Sequence, residues 1–349
     1  MGLDIGTTSV RAAELGLGKH GVTLTRFGQV ALPPGAVRGG EVVDVAAVTA
    51  ALRQLWSQAR FTTRRVVLGV ANQKVVVRQV DLPAMPLDEL RASLPYHVQD
   101  HVPMAVEHAL LDFHPLEEVT NDAGARMLRV LLVAAARGMV DLALDAVTEA
   151  GLRPVMVDLT SFALLRAQTI GDCLGLSDGA EALVDVGAEV TNIVVHSAGI
   201  PRFVRILMLG GAELTKSLAE RLGVPLDEAE ALKQSTGLVT APEQVLQVDP
   251  AARVLQRSCG DFVEEVRGSL QYYLAQPGSA PVTRIVLSGG GGQLLGLAER
   301  LSASTRMPVE VLSPLRHLEI GKTGLVPEQL SYIEPLAAVP VGLALGVAA

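Results

Sequence analysis

Two short stretches of the chain place an aspartate and a glycine directly after a run of apolar residues. The first reads Asp4-Ile5-Gly6-Thr7-Thr8-Ser9, and the second reads Asp185-Val186-Gly187-Ala188-Glu189-Val190-Thr191. A turn of glycine and hydroxyl residues directs backbone N–H groups and side-chain donors at one point, which suits a phosphate. An ordinary turn explains either stretch alone, because glycine supplies positive φ and threonine favours strand edges. The recurrence of the pattern favours a functional pair.

The aspartates of these stretches, Asp4 and Asp185, are candidates for holding a metal ion. Magnesium prefers carboxylate and water oxygens and keeps most of its waters, so two aspartates on facing turns would suffice to hold a hydrated ion. Each aspartate alone is more simply explained as a hydrogen-bonded turn residue. The matched pair favours a Mg²⁺ site.

A run of four glycines follows a predicted buried strand and opens a helix, in the sequence Ser288-Gly289-Gly290-Gly291-Gly292. Glycines leave room for a flat ring to approach the backbone, and their N–H groups can meet phosphates. Consecutive glycines also cost conformational entropy that a simple connection would not require. The run therefore favours contact with a ligand.

Glu230 and Lys233 lie three residues apart on a predicted helix that begins at Asp227. A pair with this spacing usually forms a solvated surface ion pair that contributes little. From spacing alone, we expect no functional role for it.

The remaining reactive residues do not form a known catalytic motif. His97 and His101 are four residues apart, but no glutamate lies between them as in a zinc-protease helix, and Pro95 and Pro103 disturb the geometry. We therefore assign no zinc. The sequence also lacks the Gly-x-Ser-x-Gly motif, the P-loop motif and a dinucleotide fingerprint after the first strand, which disfavours the three corresponding enzyme classes.

The composition indicates a well-buried globular protein with more than one domain. The chain has 349 residues, of which 49% are hydrophobic, 19% charged and only 3% aromatic. A core of Val, Leu and Ala is typical of α/β layers with buried parallel strands. The net charge of −8 without a basic block argues against nucleic acid as a partner. Cys173 and Cys259 are far apart and favour isolated buried thiols in a reducing cytoplasm, and we find no signal peptide or membrane span.

The order of predicted elements repeats in the two halves of the chain. The first seventy residues read strand–strand–strand–helix–strand, with the helix from Val45 to Arg60. The second half again begins with three strands around a glycine turn, which suggests an internal duplication. Helices are expected over Gly211–Leu222, Asp227–Gln234 and Asp261–Leu274.

An inserted α+β unit interrupts the first half. Residues from Val75 to Leu152 read as a strand, a short helix, two alternating strands and a helix from Arg137 to Ala150. We therefore expect the following divisions of the chain: 1–74, first lobe; 75–152, inserted domain; 153–180, first lobe again; 181–335, second lobe with a helical subdomain at about 212–282; and 336–349, a terminal helix returning to the first lobe.

These motifs together resemble those of a known superfamily. LDIGTTSVRAAEL, LVDVGAEVTNIVV and IVLSGGGG resemble, in that order, the two phosphate motifs and the adenosine motif of the actin, hexokinase and heat-shock ATPase superfamily. The insert VDLPAMPLDELRASLPYHVQDHVPMAVEHALLDFHPL resembles the inserted domain shared by FtsA-type and PilM-type proteins, and PilM more closely. The implied fold is an actin-like two-lobed fold built from two ribonuclease-H-like halves, with a small inserted α+β domain.

The resemblance implies ATP or ADP with Mg²⁺ between two lobes. It also revises the expectation for Glu230 and Lys233, because in the family such a pair reaches the ribose. Glu189 becomes a candidate for orienting an attacking water, although an acidic turn residue could equally be a structural cap. The implied nucleotide-binding residues are Gly6, Thr7, Thr8, Ser9, Arg11, Gly187, Ala188, Glu189, Thr191, Gly210, Glu230, Lys233, Gly289, Gly290, Gly291 and Gly292.

The resemblance further implies a cytoplasmic component of the type IV pilus inner-membrane complex. Such proteins bind the cytoplasmic N-terminal peptide of the membrane protein PilN, here expected within Val75 to Leu111, and other pilus components and self-association are further expected contacts. His97 and Pro95 depart from the family's pattern in this region. The alternatives are an FtsA-like division protein, a type II secretion scaffold and, with less support, a sugar-kinase-type phosphotransferase. Whether ATP is hydrolysed is left open by the sequence.

Overall fold

The computed structural model describes residues 1–18, 21–170, 179–238 and 249–347. Of the two cysteines, Cys173 lies outside the described residues, and Cys259 is a buried free thiol. Burial raises the pKa of the Cys259 thiol to about 11. This cysteine therefore stays protonated and acts as a small core residue.

The first seventy residues form the strand–strand–strand–helix–strand unit that the sequence predicts. The helix begins after Asp44, whose carboxylate accepts a hydrogen bond from the Ala47 amide at 2.9 Å. Its apolar side, with Val48, Leu52 and Leu55, is buried against the sheet. A short hairpin, which the sequence analysis missed, precedes it. The elements are β1 (Gly2–Ile5), β2 (Ser9–Gly18), β3 (Gly21–Ala31), β4 (Val37–Arg38), β5 (Glu41–Val42), α1 (Val45–Ala59) and β6 (Arg65–Val70).

The insert forms a three-stranded antiparallel sheet covered by one helix. The elements here are β7 (Val75–Pro83), α2 (Leu87–His97), β8 (Ala109–Thr120), β9 (Arg126–Ala136) and α3 (Arg137–Glu149). The sheet order is β7-β9-β8, and α2 packs Leu90 and Leu94 onto a separate small core. In contrast, α3 buries Ala143, Ala146 and Val147 in the first-lobe core. We therefore propose that the insert ends at Ala136 rather than at Leu152.

The chain then returns to the first lobe with β10 (Arg153–Leu159) and α4 (Thr160–Thr169). The first-lobe sheet has the order β10-β6-β1-β2-β3, and the short β16 (Glu319–Ile320) pairs with its far edge. β1, β6 and β10 run parallel. β2 is antiparallel to both β1 and β3, and β3 pairs in parallel with β16.

The second lobe repeats this arrangement. Its elements are β11 (Ala180–Val186), β12 (Thr191–Ser197), β13 (Ile200–Leu207), α5 (Gly211–Leu222), α6 (Leu226–Thr236), α7 (Pro250–Leu274), β14 (Val282–Ser288), α8 (Leu297–Thr305) and β15 (Val309–Val311). The sheet order is β13-β12-β11-β14-β15, with an antiparallel meander followed by parallel strands. Each strand thus has a counterpart in the first lobe, which confirms the predicted duplication.

The helix expected from Asp261 begins eleven residues earlier, at Pro250. Asp249 caps it by accepting a hydrogen bond from the Ala251 amide at 3.1 Å, and proline occupies the first helical position. Aspartate followed by proline is a recognised helix-start signal. The predicted start at Asp261 was therefore wrong, and Gly260, directly before it, lies inside the helix.

The last helices are α9 (Pro327–Ile333) and α10 (Ala338–Leu345), and α10 packs on the first lobe. A Cβ atom on Gly342 would lie 1.8 Å from the Ala163 carbonyl oxygen, so α10 and α4 approach too closely for any side chain there. A core cluster that contains Ala13 and Leu183 joins the two lobes beneath α10. No helix in the described ranges is long and apolar enough to cross a membrane.

Candidate functional site

A cavity of about 1060 Å³ lies between the two lobes. It is lined by the turns that follow the carboxyl ends of β1, β6, β11 and β14. Ligands of open α/β sheets bind at this end of the strands, where the connections diverge. The duplicated fold thus places two equivalent turns at one cavity.

The two predicted phosphate turns are closed by the same backbone hydrogen bond. The Gly6 amide donates to the Ser9 carbonyl at 3.0 Å, and the Gly187 amide donates to the Val190 carbonyl at 2.9 Å. This geometry leaves the next two amides of each turn free. Among the residues that the structure describes, the amides of Thr7, Thr8, Ala188 and Glu189 donate to no protein acceptor. Two pairs of unused N–H donors therefore lie at the cavity, an arrangement that suits phosphate oxygens.

The second turn is braced by the start of α5. The Gly211 amide donates to the Gly187 carbonyl at 2.9 Å, and the Ala212 amide donates to the Ala188 carbonyl at 2.8 Å. These contacts use the first amides of the helix, which would otherwise be available to an anion. A Cβ on Gly210 would lie 2.5 Å from the Gly187 oxygen, so glycine is required for this close packing.

Asp4 and Asp185 lie in equivalent positions but have different partners. Asp4 faces Arg11, with Arg11 Nη1 3.4 Å from Asp4 Oδ2. Asp185 accepts a 2.6 Å hydrogen bond from the Ser288 hydroxyl. Burial raises the pKa of Asp4 to about 6; Arg11 opposes this shift and the Asp185 charge adds to it. Burial also raises the pKa of Asp185. Both carboxylates line the same cavity, as a shared cation would require.

Glu189 connects the two lobes at the cavity. Its Oε2 accepts a 2.6 Å hydrogen bond from the amide of Gly39, in the turn between β4 and β5. The neighbouring Met208 also contacts this turn, since a Cβ on Gly39 would lie 2.6 Å from the Met208 Cε. The sequence suggested a water-orienting or a capping role for this glutamate, and its observed partner is a backbone amide of the opposite lobe.

Lys233 and Glu230 form a buried network rather than a solvated surface pair. Lys233 is 9% exposed, and its Nζ donates to Glu230 Oε2 at 2.7 Å, to Thr215 Oγ1 at 2.8 Å and to the Gly211 carbonyl at 3.0 Å. Burial raises the pKa of Glu230, but its hydrogen bonds outweigh this effect and leave the pKa below its usual value. The expectation of a solvated ion pair was wrong for Lys233, because its ammonium is buried against α5. The ammonium also anchors Gly211, which braces the second turn.

The glycine run forms the wall of the cavity beside Asp185. Gly289 has φ = +83°, and a Cβ there would lie 2.4 Å from the Val186 carbonyl oxygen. Both the left-handed backbone and the close contact require glycine at this position. Gly290 and Gly291 also line the cavity, whereas Gly292 faces Leu287.

Most of the predicted site residues meet at this cavity. Three do not line it: Thr191, which donates to the Leu209 carbonyl at 2.7 Å; Gly292; and Ser9, whose buried hydroxyl has no partner in the described chain. The residues that line it as predicted are Asp4, Gly6, Thr7, Thr8, Arg11, Asp185, Gly187, Ala188, Glu189, Gly210, Glu230, Lys233, Gly289, Gly290 and Gly291.

Sequence reasoning missed several lining residues that lack a motif. Gly39 and Gly40 lie in the β4–β5 turn, and the paired glycines were an available signal. Lys216 and Tyr332 lie on α5 and α9, and Tyr332 is 64% exposed at the cavity. Nothing in their local sequence distinguishes them from surface residues.

Two lobes of one topology, each with an aspartate–glycine turn at a shared cavity, define a protein of the actin-like fold. The structure of MreB5 of Spiroplasma citri bound to ADP has this fold, with a TM-score of 0.53, 13% identity, and coverage of 98% of this chain and 93% of that chain. Within this class the chain belongs to the family of the type IV pilus assembly protein PilM, whose model it matches over residues 2–347.

Similar proteins include pilus and division proteins. A solved PilM-PilN type IV pilus biogenesis complex matches with a TM-score of 0.84 and 28% identity, covering 99% of this chain and 97% of that chain. FtsA of Neisseria meningitidis serogroup B is 24% identical over 348 residues, which cover 89% of this chain and 83% of FtsA. FtsA of Escherichia coli K12 is also 24% identical, over 90% of this chain and 84% of FtsA. The chain is thus an actin-like component of type IV pilus assembly.

Proposed function

We propose that this protein is the ATP-binding component of the type IV pilus inner-membrane complex and binds the cytoplasmic N-terminal peptide of a PilN-like membrane protein. The observation that carries the nucleotide part is the pair of turns whose four free amides meet at one cavity. The partner part is supported by family membership and by the similarity to a solved PilM-PilN complex. The protein would thus act at the cytoplasmic face of the membrane through its partner.

The phosphates of the nucleotide would lie between the two turns. The free amides of Thr7 and Thr8 approach from the first lobe, and those of Ala188 and Glu189 from the second. Arg11 adds a fixed positive charge on the first-lobe side. Donors held by two separate lobes bind a polyphosphate only when the lobes are close, so nucleotide binding would favour a closed arrangement.

The charge of the cavity indicates that a divalent cation would accompany the nucleotide. Six carboxylates line it, from Asp4, Asp185, Glu189, Glu213, Asp227 and Glu230, against three cationic side chains, from Arg11, Lys216 and Lys233. A triphosphate alone would be repelled by this excess of negative charge. Asp4 and Asp185 supply the oxygen ligands that Mg²⁺ prefers. Within the described ranges no cluster of three or more acidic, histidine or cysteine side chains exists, so the ion would take its other ligands from water and phosphate.

The nucleoside would lie beside the second lobe. Glu230 presents its half-exposed carboxylate to the cavity and is held in place by Lys233 and Gln234. An oriented carboxylate is suited to accept hydrogen bonds from ribose hydroxyls. The bare backbone of Gly290 and Gly291 leaves room for a base.

The position of Glu189 bears on whether ATP could be hydrolysed. A residue that orients the attacking water needs a free carboxylate oxygen near the terminal phosphate. The Glu189 Oε2 instead accepts from the Gly39 amide across the lobes. Turnover that uses this residue would therefore rely on Oε1, which accepts no hydrogen bond from the described residues, or would break the inter-lobe hydrogen bond.

The inserted domain offers a surface for the partner peptide within the region Val75 to Leu111. Tyr96 is 80% exposed and Leu87 46% exposed on α2, and the guanidinium of Arg91 lies 5.4 Å from the centre of the Phe113 ring. Exposed aromatic and aliphatic groups beside a helix are typical anchors for a short peptide.

Calorimetric titration of the chain with ATP, with and without Mg²⁺, tests the nucleotide site. We expect saturable binding that requires Mg²⁺ and is weakened at least tenfold in Glu230→Ala, with Glu220→Ala on the outer part of α5 as the control. A pull-down with the cytoplasmic PilN peptide, using wild type and Tyr96→Ala, tests the partner site separately. Absence of ATP binding together with absence of peptide binding would refute the proposal.

A further inference from the structure

Four arginines converge at one end of the first lobe. Arg65 and Arg153 begin β6 and β10 and are register partners in the parallel ladder. The Arg153 amide donates to the Arg64 carbonyl at 2.7 Å, which joins the two strand ends directly. Arg53, on α1, reaches the connection that leads into β10. We call Arg53, Arg64, Arg65 and Arg153 the arginine cluster, and all four residues are exposed.

Two members of the arginine cluster have a structural role. Arg53 Nη2 donates to the Glu149 carbonyl at 2.6 Å, and Arg64 Nη1 donates to the Gly151 carbonyl at 3.5 Å. These carbonyls lie at the carboxyl end of α3, where a positive charge also interacts favourably with the helix dipole.

Capping of α3 does not explain why Arg65 and Arg153 lie at this end of the sheet. In the part of the chain that the structure describes, neither side chain has a hydrogen bond or a carboxylate partner. Two like charges on adjacent strands repel each other. Several strand arginines of this protein do have acidic partners, as in the pair of Arg129 with Asp81. The two unpaired guanidinium groups therefore lower stability slightly and remain available to an external anion.

The arginine cluster lies at the opposite end of the sheet from the cavity. Arg65 starts β6, whereas Gly69 near the end of the same strand lines the cavity. Likewise Arg153 starts β10, and Thr160 just after its end lines the cavity. A six-residue strand separates the two ends by about 17 Å. A partner bound at the arginine cluster would leave the cavity open to solvent.

We propose that the arginine cluster is a docking surface for an anionic phospholipid membrane. The protein carries a net charge of −8, so most of its surface is repelled by such a membrane. When the arginine cluster faces the membrane, the protein is attracted to the anionic lipids. The exposed Val155 beside the cluster would then contact the lipid–water interface. The choice of a lipid surface over an acidic protein rests on the proposed function, which places the chain at a membrane face. The contact would orient the cavity away from the bilayer.

Co-sedimentation with vesicles tests this docking surface. Wild-type chain, without any partner protein, is mixed at low ionic strength with phosphatidylglycerol-containing vesicles and with phosphatidylcholine vesicles. We expect binding to the anionic vesicles alone, reduced as salt is raised. Each arginine at such a surface changes the partition coefficient about fivefold, so Arg65→Ala/Arg153→Ala should lower it about 25-fold. The variant Arg65→Lys/Arg153→Lys should retain most of the wild-type partition coefficient, because lysine keeps the positive charge.

The matched control removes two arginines of the second lobe, in Arg253→Ala/Arg257→Ala. These residues lie on α7 between Asp249 and Asp261, where no excess of positive charge exists. The control should bind anionic vesicles like wild type. Equal partition of wild type and Arg65→Ala/Arg153→Ala overturns the proposal, and so does binding of wild type to neutral vesicles alone. Since neither ATP nor the PilN peptide is present, failure here is distinct from failure of the proposed function.

Discussion

The two predicted phosphate turns have the same backbone and different side-chain environments. Both begin two residues after an aspartate of the preceding strand and are closed by a glycine amide that donates to a carbonyl three residues ahead. Arg11 stands opposite Asp4 in the first turn, whereas Asn192 stands opposite Asp185 in the second. The first turn thus provides a cationic side chain at the cavity, whereas the hydrogen-bond partners of Asp185, Ser288 and Asn192, are neutral.

The surroundings of the turns differ in the same way. The first turn is held by one outside contact, from the Leu32 amide to the Thr8 carbonyl at 2.9 Å. The second is braced by two amides of α5, which Lys233 anchors through Gly211, and its Glu189 contacts the opposite lobe. The comparison teaches that duplication preserved the backbone of the turn, while one copy supplies a positive charge and the other links the lobes.

The largest expected difference between the turns concerns the closing glycines. A Cβ on Gly187 would lie 2.7 Å from the Val190 carbonyl oxygen, whereas on Gly6 it would lie 3.2 Å from the Ser9 oxygen. A backbone oxygen within a braced turn cannot move aside, so Gly187→Ala should lower the free energy of unfolding by about 3 kcal/mol. Gly6→Ala should cost about 1 kcal/mol. Urea unfolding measures both, and equal losses would show that the brace is not rigid.

A second difference is the pH dependence of folding stability that Asp4 produces. Its pKa is raised to about 6 in the folded protein, so between pH 4 and 6 the folded state holds a proton that the unfolded chain has released. This contribution to stability is present below pH 4 and is lost as the pH rises through 6. From pH 4 to pH 7 wild type should lose about 2 kcal/mol more than Asp4→Asn. Thermal unfolding at the two pH values measures it, and parallel profiles would contradict the assignment.

The inter-lobe contact of the second turn predicts a smaller effect. Glu189→Ala leaves the Gly39 amide without its acceptor and should cost about 1.5 kcal/mol. Glu189→Gln keeps an acceptor oxygen in place and should cost less than half as much. Hydrogen exchange at the Gly39 amide reports the contact directly. Unchanged exchange in Glu189→Ala would show that the contact is absent in solution.

The smallest expected effect concerns a hydroxyl of the first turn. The Thr8 side chain has no hydrogen-bond partner among the described residues, so Thr8→Ala should change stability by less than about 0.5 kcal/mol. If its hydroxyl meets phosphate, ATP affinity should fall about fivefold. Thr120→Ala, on an exposed strand end of the insert, is the control. Equal ATP affinity of the two variants would remove Thr8 from the site.

The sequence predicted the fold better than it predicted the site. Apolar runs, glycine turns and the repeated Asp-x-Gly pattern were enough to predict the duplication and the inserted sheet, because these are local signals. The same local signals misplaced the start of α7 at Asp261 and missed the β4–β5 hairpin. Two-residue strands have too little periodicity to be detected.

Within the site, local patterns located the turns but not the direction of each side chain. Ser9 and Thr191 belong to the motifs, yet neither lines the cavity. Both lie where a strand begins, and alternation along the strand determines which face each one occupies. Motif spacing does not carry this information.

What the sequence by itself determined is the set of segments that would become strands, helices and glycine turns. These follow from hydrophobic periodicity and from glycine conformation, which act over a few residues. Only the tertiary structure decided that Lys233 is buried, that Glu189 binds Gly39 across 150 residues of sequence, and that Arg65 lies beside Arg153. Such contacts depend on how two lobes and their sheets pack, and no local pattern specifies that packing.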